Sequence, residues 1–233
     1  MTPVAAPARP GSGAPVAGLG RHGLPGVFVV LEGTDRSGRS THVRRLEQHL
    51  RYRGRGVTRT SLATSVLVGD AIRSARRDRQ MDPVETILLY AADLAERIEQ
   101  VILPSLQAGL VVLADRYVYT PMARAATRGV DPEWLDRIFG FAPPPDLTLV
   151  LDVDAATAVA RQGRHAPDRY EAGMDLGLST DALQSFRLFQ DRLREWFERS
   201  TDRYGFSRID ARGAPEAVAA LIEPAVDALV AVR

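Results

Sequence analysis

The residues best equipped for chemistry sit together in one octet, Gly33-Thr34-Asp35-Arg36-Ser37-Gly38-Arg39-Ser40, followed by Thr41. Two glycines permit tight backbone geometry there, and successive amides at the start of a helix make a concavity of positive potential suited to phosphate oxygens. Ser40 would place its hydroxyl on a magnesium ion, and Arg36 and Arg39 add cationic side chains. The pattern for such a phosphate loop calls for lysine where this chain has Arg39. A plain strand-to-helix turn with solvated charges is the alternative, and the flanking residues weigh against it. Ahead of the octet runs Val-Phe-Val-Val-Leu from Val27 to Leu31, which reads as a strand buried on both faces, and Ser40 to Arg51 reads as a helix.

The elements that must hold this loop follow from hydrophobic patterning. Val57 to Ser61 is a weaker strand candidate. Val84 to Leu106 carries a long helical pattern, with Pro83 near its start where proline is tolerated. Apolar runs from Leu110 to Leu113 and from Leu147 to Leu151 lead into Asp115-Arg116 and into Asp152 and Asp154, so both end in carboxylates. Helices are expected from Thr180 to Arg199 and from Pro215 to Val232, with a strand from Phe206 to Ile209 between them. Strands alternating with helices predict an α/β fold of three layers, a central parallel sheet flanked by helices, with ligands at the carboxyl ends of the strands. The spacing shows no repeat and no second domain. The domain is expected to run from 26 to 233, preceded by a leader of residues 1–25, rich in Ala, Pro and Gly and read as disordered.

Composition narrows the chemistry. The 233 residues include no cysteine and four histidines, which excludes disulfides, thiolate nucleophiles and zinc-thiolate sites. Oxygen ligands, arginines and backbone amides remain. A formal net charge of +1 argues against nucleic acid as a partner, because binding a polyanion needs a clustered cationic excess. No segment is long and apolar enough for a membrane helix, and a cytoplasmic protein is the expectation.

Taken in order, these segments resemble the thymidylate kinases, P-loop nucleoside monophosphate kinases whose first strand runs into Glu-Gly-x-Asp-x-x-Gly-Lys-Ser-Thr. Glu32, Gly33, Asp35, Gly38, Ser40 and Thr41 match, and Arg36 resembles the arginine that one subgroup carries inside its loop. Gly69-Asp70-Ala71-Ile72-Arg73 is similar to a segment whose arginine holds the acceptor phosphate. Leu88-Leu89-Tyr90-Ala91-Ala92-Asp93 is similar to one whose aromatic stacks on the acceptor base. Asp115-Arg116-Tyr117 matches the Asp-Arg-Tyr signature, and Asp168-Arg169-Tyr170-Glu171 resembles the lid, preceded by Arg161 and Arg164. The lid is thereby expected near 161–175.

The resemblance implies ATP as donor, magnesium, a nucleotide acceptor and a homodimer. It assigns Gly33 to Thr41 to the donor phosphates, with Asp35, Arg36, Arg39 and Arg116 as catalytic residues. Ser40 and Asp115 serve the metal, and Arg73, Tyr90, Arg116 and Thr120 the acceptor. Arg161, Arg164 and Arg169 close over ATP. By themselves, Tyr90 reads as readily as a core aromatic, Asp115-Arg116 as a surface ion pair, and the later arginines as a solvated face. The segment after the second strand, Ser61 to Val66, lacks the family's Arg-Glu-Pro-Gly-Gly-Thr. Leu94 stands where an arginine reads the thymine edge, Pro121 replaces a polar residue, and Arg124-Ala125 replaces Tyr-Gln. The contacts that recognise thymine are therefore expected to be partly lost, which loosens or redirects base choice. A nucleotide-binding regulator with degraded catalysis, or a kinase for an unusual small-molecule acceptor, is the alternative.

Overall fold

The computed structural model describes residues 22–78, 81–163 and 166–232. Five strands, β1 (Val27–Gly33), β2 (Val57–Ser61), β3 (Val111–Asp115), β4 (Leu147–Asp152) and β5 (Ser207–Asp210), form one sheet in the order β2-β3-β1-β4-β5, and every pairing is parallel. β1 lies in the middle, fully buried along its length, as its unbroken apolar run requires. Alternate residues of β1 feed two cores. Phe28 and Val30 pack on one face with Val112 and Ala114, whereas Val27, Val29 and Leu31 pack on the other with Leu46, Leu50 and Ile222.

Helices cover both faces: α1 (Arg39–Tyr52), α2 (Gly69–Asp78), α3 (Pro83–Arg97), α4 (Leu103–Gln107), α5 (Tyr119–Ala126), α6 (Pro132–Phe139), α7 (Ala155–Gln162), α8 (Ala182–Arg199), α9 (Thr201–Tyr204) and α10 (Pro215–Ala231). The three-layer α/β expectation is met. The helix expected from Val84 to Leu106 divides, because a wide π turn at Ile98–Ile102 separates α3 from α4, whose first turn holds Pro104. Apolar spacing runs through that turn without interruption, so periodicity gives no sign of it. Helices α5, α6 and α7 have eight residues each, too few turns for a repeat to stand out. The described chain starts inside the segment expected to be a disordered leader: His22 Nε2 lies 2.8 Å from Asp146 and Leu24 packs on the core.

Register brings the functional ends together. Leu31 of β1 is level with Asp115 of β3, so the chain leaving β1 passes beside the last residues of β3. A buried ion pair braces the next loop. Asp93 and Arg97 of α3 are both almost fully buried; Asp93 accepts from Arg97 Nε at 2.8 Å and from the Ala63 and Ser65 amides at 3.1 and 2.9 Å. The loop after β2 is thus pinned to α3 through one carboxylate. Asp93→Ala leaves Arg97 buried without its counter-ion and two amides without an acceptor. Urea unfolding should show a loss of about 3–5 kcal/mol, and a loss under about 1 kcal/mol would mean that the pair behaves as an exposed one.

Candidate active site

The loop from Gly33 to Ser40 turns sharply at the end of β1 and enters α1. Gly33 has φ 134°, and a Cβ there would stand 2.5 Å from the Leu151 carbonyl oxygen, so no larger residue fits. Gly38, at φ 96°, caps α1 in the left-handed region. Arg36 (φ 63°) and Arg116 (φ 72°) adopt left-handed backbone without being glycine. Both border a cleft of about 480 Å³ that opens above the carboxyl ends of β1 and β3.

Arg39 does not reach out from the loop. Its side chain is buried and folds back beneath it, where Nη1 donates to the Gly33 carbonyl oxygen (2.6 Å), to the Thr34 carbonyl and to Ser37 Oγ (2.9 Å), while Nε lies 3.4 Å from Asp115. Burial, helped by the like charge of Arg116, lowers its pKa to about 10 against the pull of Asp115, Asp35 and Glu32, so it is cationic at neutral pH. Arg36 is exposed and donates from Nε to Gln162 Oε1 of α7 at 2.5 Å. Ser40 donates its hydroxyl to Asp115 Oδ2, which joins the start of α1 to the end of β3. Hard oxygen donors from a hydroxyl and a carboxylate in contact fit a magnesium ion, which binds few protein oxygens and completes its shell with phosphate and water.

Asp35 is the buried centre of the site. Its Oδ1 accepts from Arg116 and, at 3.0 Å, from Arg124 Nη2, and its Oδ2 accepts from the same Arg124 nitrogen at 3.0 Å and from Gln190 Nε2 at 3.1 Å. The Asp35 amide donates to Gln190 Oε1 at 2.8 Å, so α8 grips the loop twice. Burial works to raise the Asp35 pKa, but Arg124, Arg116 and Arg39 outweigh it and hold the carboxyl well below the aspartate range. Glu32 does the corresponding work one layer down. Fully buried, it accepts from the Tyr117 amide (2.8 Å), the Thr120 amide (3.2 Å) and the Thr120 hydroxyl, which fixes the turn that presents Arg116. Burial raises the Glu32 pKa despite these bonds.

Of the residues expected from sequence, Asp35, Arg36, Gly38, Arg39, Ser40, Thr41, Tyr90, Asp115, Arg116 and Arg161 line the cleft. Tyr90 is at once a core residue and part of the cleft wall. Arg161 binds loop and sheet backbone, with Nη2 2.7 Å from the Ala211 carbonyl oxygen. Gly33, Thr34 and Ser37 are buried members of the loop, and Thr120, also buried, serves Glu32 and Arg116. Two of the expected residues are not among those that line the cleft. Arg73 curls onto the Ala63 carbonyl and Asp70 and stays half exposed, away from the cleft wall. Arg169 is exposed and does not border the cleft either, and Arg164 lies outside the described residues.

Sequence reasoning assigned no role to Arg76, Arg124, Gln162 or Gln190, and all four bear on the site. Arg116, Thr120 and Arg124 recur every four residues, the one pattern that could have pointed to Arg124. Gln190 sits 155 residues from Asp35 with no local signature.

A parallel sheet whose central strand runs through a glycine loop into a helix, with the cleft at the strand ends, defines the class of P-loop kinases. Comparison with known proteins narrows the class. Residues 31–222 match the thymidylate kinase family. The chain is 31% identical over 190 residues to the probable thymidylate kinase 2 of Saccharolobus solfataricus, covering 80% of this chain and 89% of that protein. It is 35% identical over 208 residues to the thymidylate kinase of Cereibacter sphaeroides (85% and 93%), and 39% identical over 144 residues to the probable thymidylate kinase of Pyrococcus abyssi (59% and 70%). The chain belongs to the thymidylate kinase family, and by its class it is a nucleoside monophosphate kinase.

The depressed pKa of Asp35 has a measurable consequence. A carboxyl with a lower pKa folded than unfolded contributes stability above the unfolded value, about 4, and that stability is lost as pH falls toward the folded value. Asp35→Asn should therefore flatten the decline in Tm between about pH 5 and pH 3. Parallel pH profiles for the variant and the wild type would show that the clamp leaves no charge-dependent term.

Proposed function

We propose that this chain transfers the γ-phosphoryl group of ATP to a nucleoside monophosphate, with dTMP the first acceptor to try and with base choice looser than a thymine-specific site would give. The observation that carries the reading is the convergence on one cleft of the glycine loop, the Ser40–Asp115 contact, the strand-end Arg116 and the aromatic wall of Tyr90. An oxygen of the acceptor phosphate forms a bond to the γ phosphorus while the bond to the β–γ bridging oxygen breaks, which yields ADP and a nucleoside diphosphate. Such a transfer asks the protein for alignment and charge neutralisation more than for covalent chemistry. The amides of Arg36 and of Gly38 to Ser40 cradle the donor phosphates, Arg36 supplies an exposed cation beside them, and Arg39 holds the loop in shape from below. Ser40 and Asp115 are the residues that would hold magnesium, which when bound neutralises charge on the β and γ phosphates. Asp35 is a positioning residue: both its oxygens are taken by Arg116, Arg124 and Gln190, so it sets the direction of the guanidiniums.

Loosened base choice rests on Leu94, which is buried in the core at the position where the family's arginine reads the base. Tyr90 offers a sequence-tolerant stacking face without a matching edge donor from that position. A homodimer is the assembly that family membership makes us propose. Val84 and Leu88 on α3 are about half exposed and available to such a contact.

One observation favours a second reading, nucleotide binding without efficient transfer: Arg39 spends its donors on the loop's own oxygens. Incubation of the pure chain with magnesium-ATP and a panel of monophosphates separates the two. The first reading requires ADP formation above the acceptor-free control with at least one of them; tight ATP binding with no transfer to any leaves the second. Within an active protein, Asp115→Ala should lower transfer on the order of 10²–10³-fold at a temperature where the variant remains folded, and an unchanged rate would remove Asp115 from the site. Arg39→Ala should lose nearly all transfer, while Arg39→Lys keeps or raises it, since an ammonium on a flexible stem can leave the loop carbonyls for phosphate. A near-normal rate in Arg39→Ala would mean that the loop keeps its working shape without Arg39.

A further inference from the structure

We infer that Arg76 and Arg124, together with Arg116, bind the phosphate of the acceptor, and that Arg73 takes no part. This rests on the kinase reading above and names the residues of its acceptor site. All three residues line the cleft, as do Tyr90 and Glu171. Arg124 is 2% exposed, a burial that a cation tolerates only with partners. Its Nη2 has Asp35, but its Nε has no partner, and Arg76 Nε is likewise buried and without one. Arg76 Nη2 lies 3.1 Å from Glu171, and both guanidiniums face the Tyr170 ring, at 5.3 and 5.2 Å from its centroid.

The charge balance points the same way. Three guanidiniums, Arg76, Arg116 and Arg124, meet two carboxylates, Asp35 and Glu171, and leave a cationic excess on the cleft wall. A phosphate dianion beside them supplies the missing charge and acceptor oxygens for forked donors, the geometry in which arginine binds phosphate best. The Tyr170 ring, which Arg128 approaches more closely at 4.4 Å, is a neighbour that Arg76 and Arg124 share and helps to hold both at the cleft. Arg73, one helical turn before Arg76 on α2, spends its donors on the Ala63 carbonyl and Asp70. Arg124 stands at a position where the family carries tyrosine, so this clamp belongs to the chain's own departure from the family pattern.

Steady-state transfer and equilibrium binding with the full chain test the assignment. The monophosphate that supports turnover in the panel is used beside its unphosphorylated nucleoside. Arg76→Gln should raise the acceptor KM roughly ten- to hundredfold and leave the ATP KM within about twofold. In titrations without ATP, it should erase most of the preference for the monophosphate over the nucleoside. Arg124→Lys should act in the same direction, its ATP affinity and Tm reporting that Asp35 still has a cation. Arg73→Gln should leave both KM values unchanged. Should Arg73→Gln raise the acceptor KM while Arg76→Gln does not, the assignment is overturned and the kinase reading survives. A wild-type chain that transfers to no monophosphate, and binds dTMP no better than thymidine, sinks both.

Discussion

One carboxylate organises the cleft. Asp35 leaves β1, yet its two oxygens are met by Arg116 from the end of β3, by Arg124 from α5 and by Gln190 from α8. Three stretches distant in sequence, the loop after β1, the Arg116 to Arg124 stretch and α8, therefore share a single buried charge. Removing such a charge from water is costly, and only its full set of partners makes the burial tolerable. The requirement is mutual: without Asp35, Arg116 and Arg124 would crowd one another in a region of low dielectric. The phosphate loop is thus locked to the sheet and to α8 by electrostatics, while the two apolar layers on either face of β1 supply the bulk of the folding energy.

The site divides into residues that face a ligand and residues that aim them. Glu32 and Thr120 set the turn bearing Arg116, Arg39 and Ser37 tie the loop to itself, and Asp93 with Arg97 secures the segment that forms one cleft wall. The aiming residues are buried and spend most of their hydrogen bonds inside the protein, whereas Ser40, Arg36 and Arg161 are exposed. This division suits a reaction whose rate depends on alignment, because alignment is lost when a supporting contact is lost even if every contacting group survives.

Much of this was legible in the sequence for local reasons. The octet after β1, the strand-end pair Asp115-Arg116 and the aromatic Tyr90 could be found because each motif is contiguous and abuts a strong apolar pattern. The sheet followed from the runs around Phe28, Val112 and Leu149. What escaped depends on three-dimensional juxtaposition. Gln190 is one polar residue in a long amphipathic helix, indistinguishable from its solvated neighbours until α8 is laid against the loop. Arg76 rather than Arg73 borders the cleft, and the run of arginines on α2 gives no sign of which will do so. Arg39 was read as a ligand-facing cation because its residue type permits that, whereas the oxygens of Gly33 and Thr34 claim it from below. The π turn after α3 is invisible to any periodicity that its apolar residues satisfy.

The left-handed conformations of Arg36 and Arg116 bear on how this molecule can change over time. A side chain in that region costs about 1–2 kcal/mol, an amount glycine would not incur. At both positions the residue that folds most easily and the residue that serves the chemistry are therefore different. Replacement by glycine at either site would relieve that cost and remove a cation from the cleft. An arginine in that region gives up stability that glycine would keep, so a stabilised variant that preserves the proposed activity would best leave both untouched.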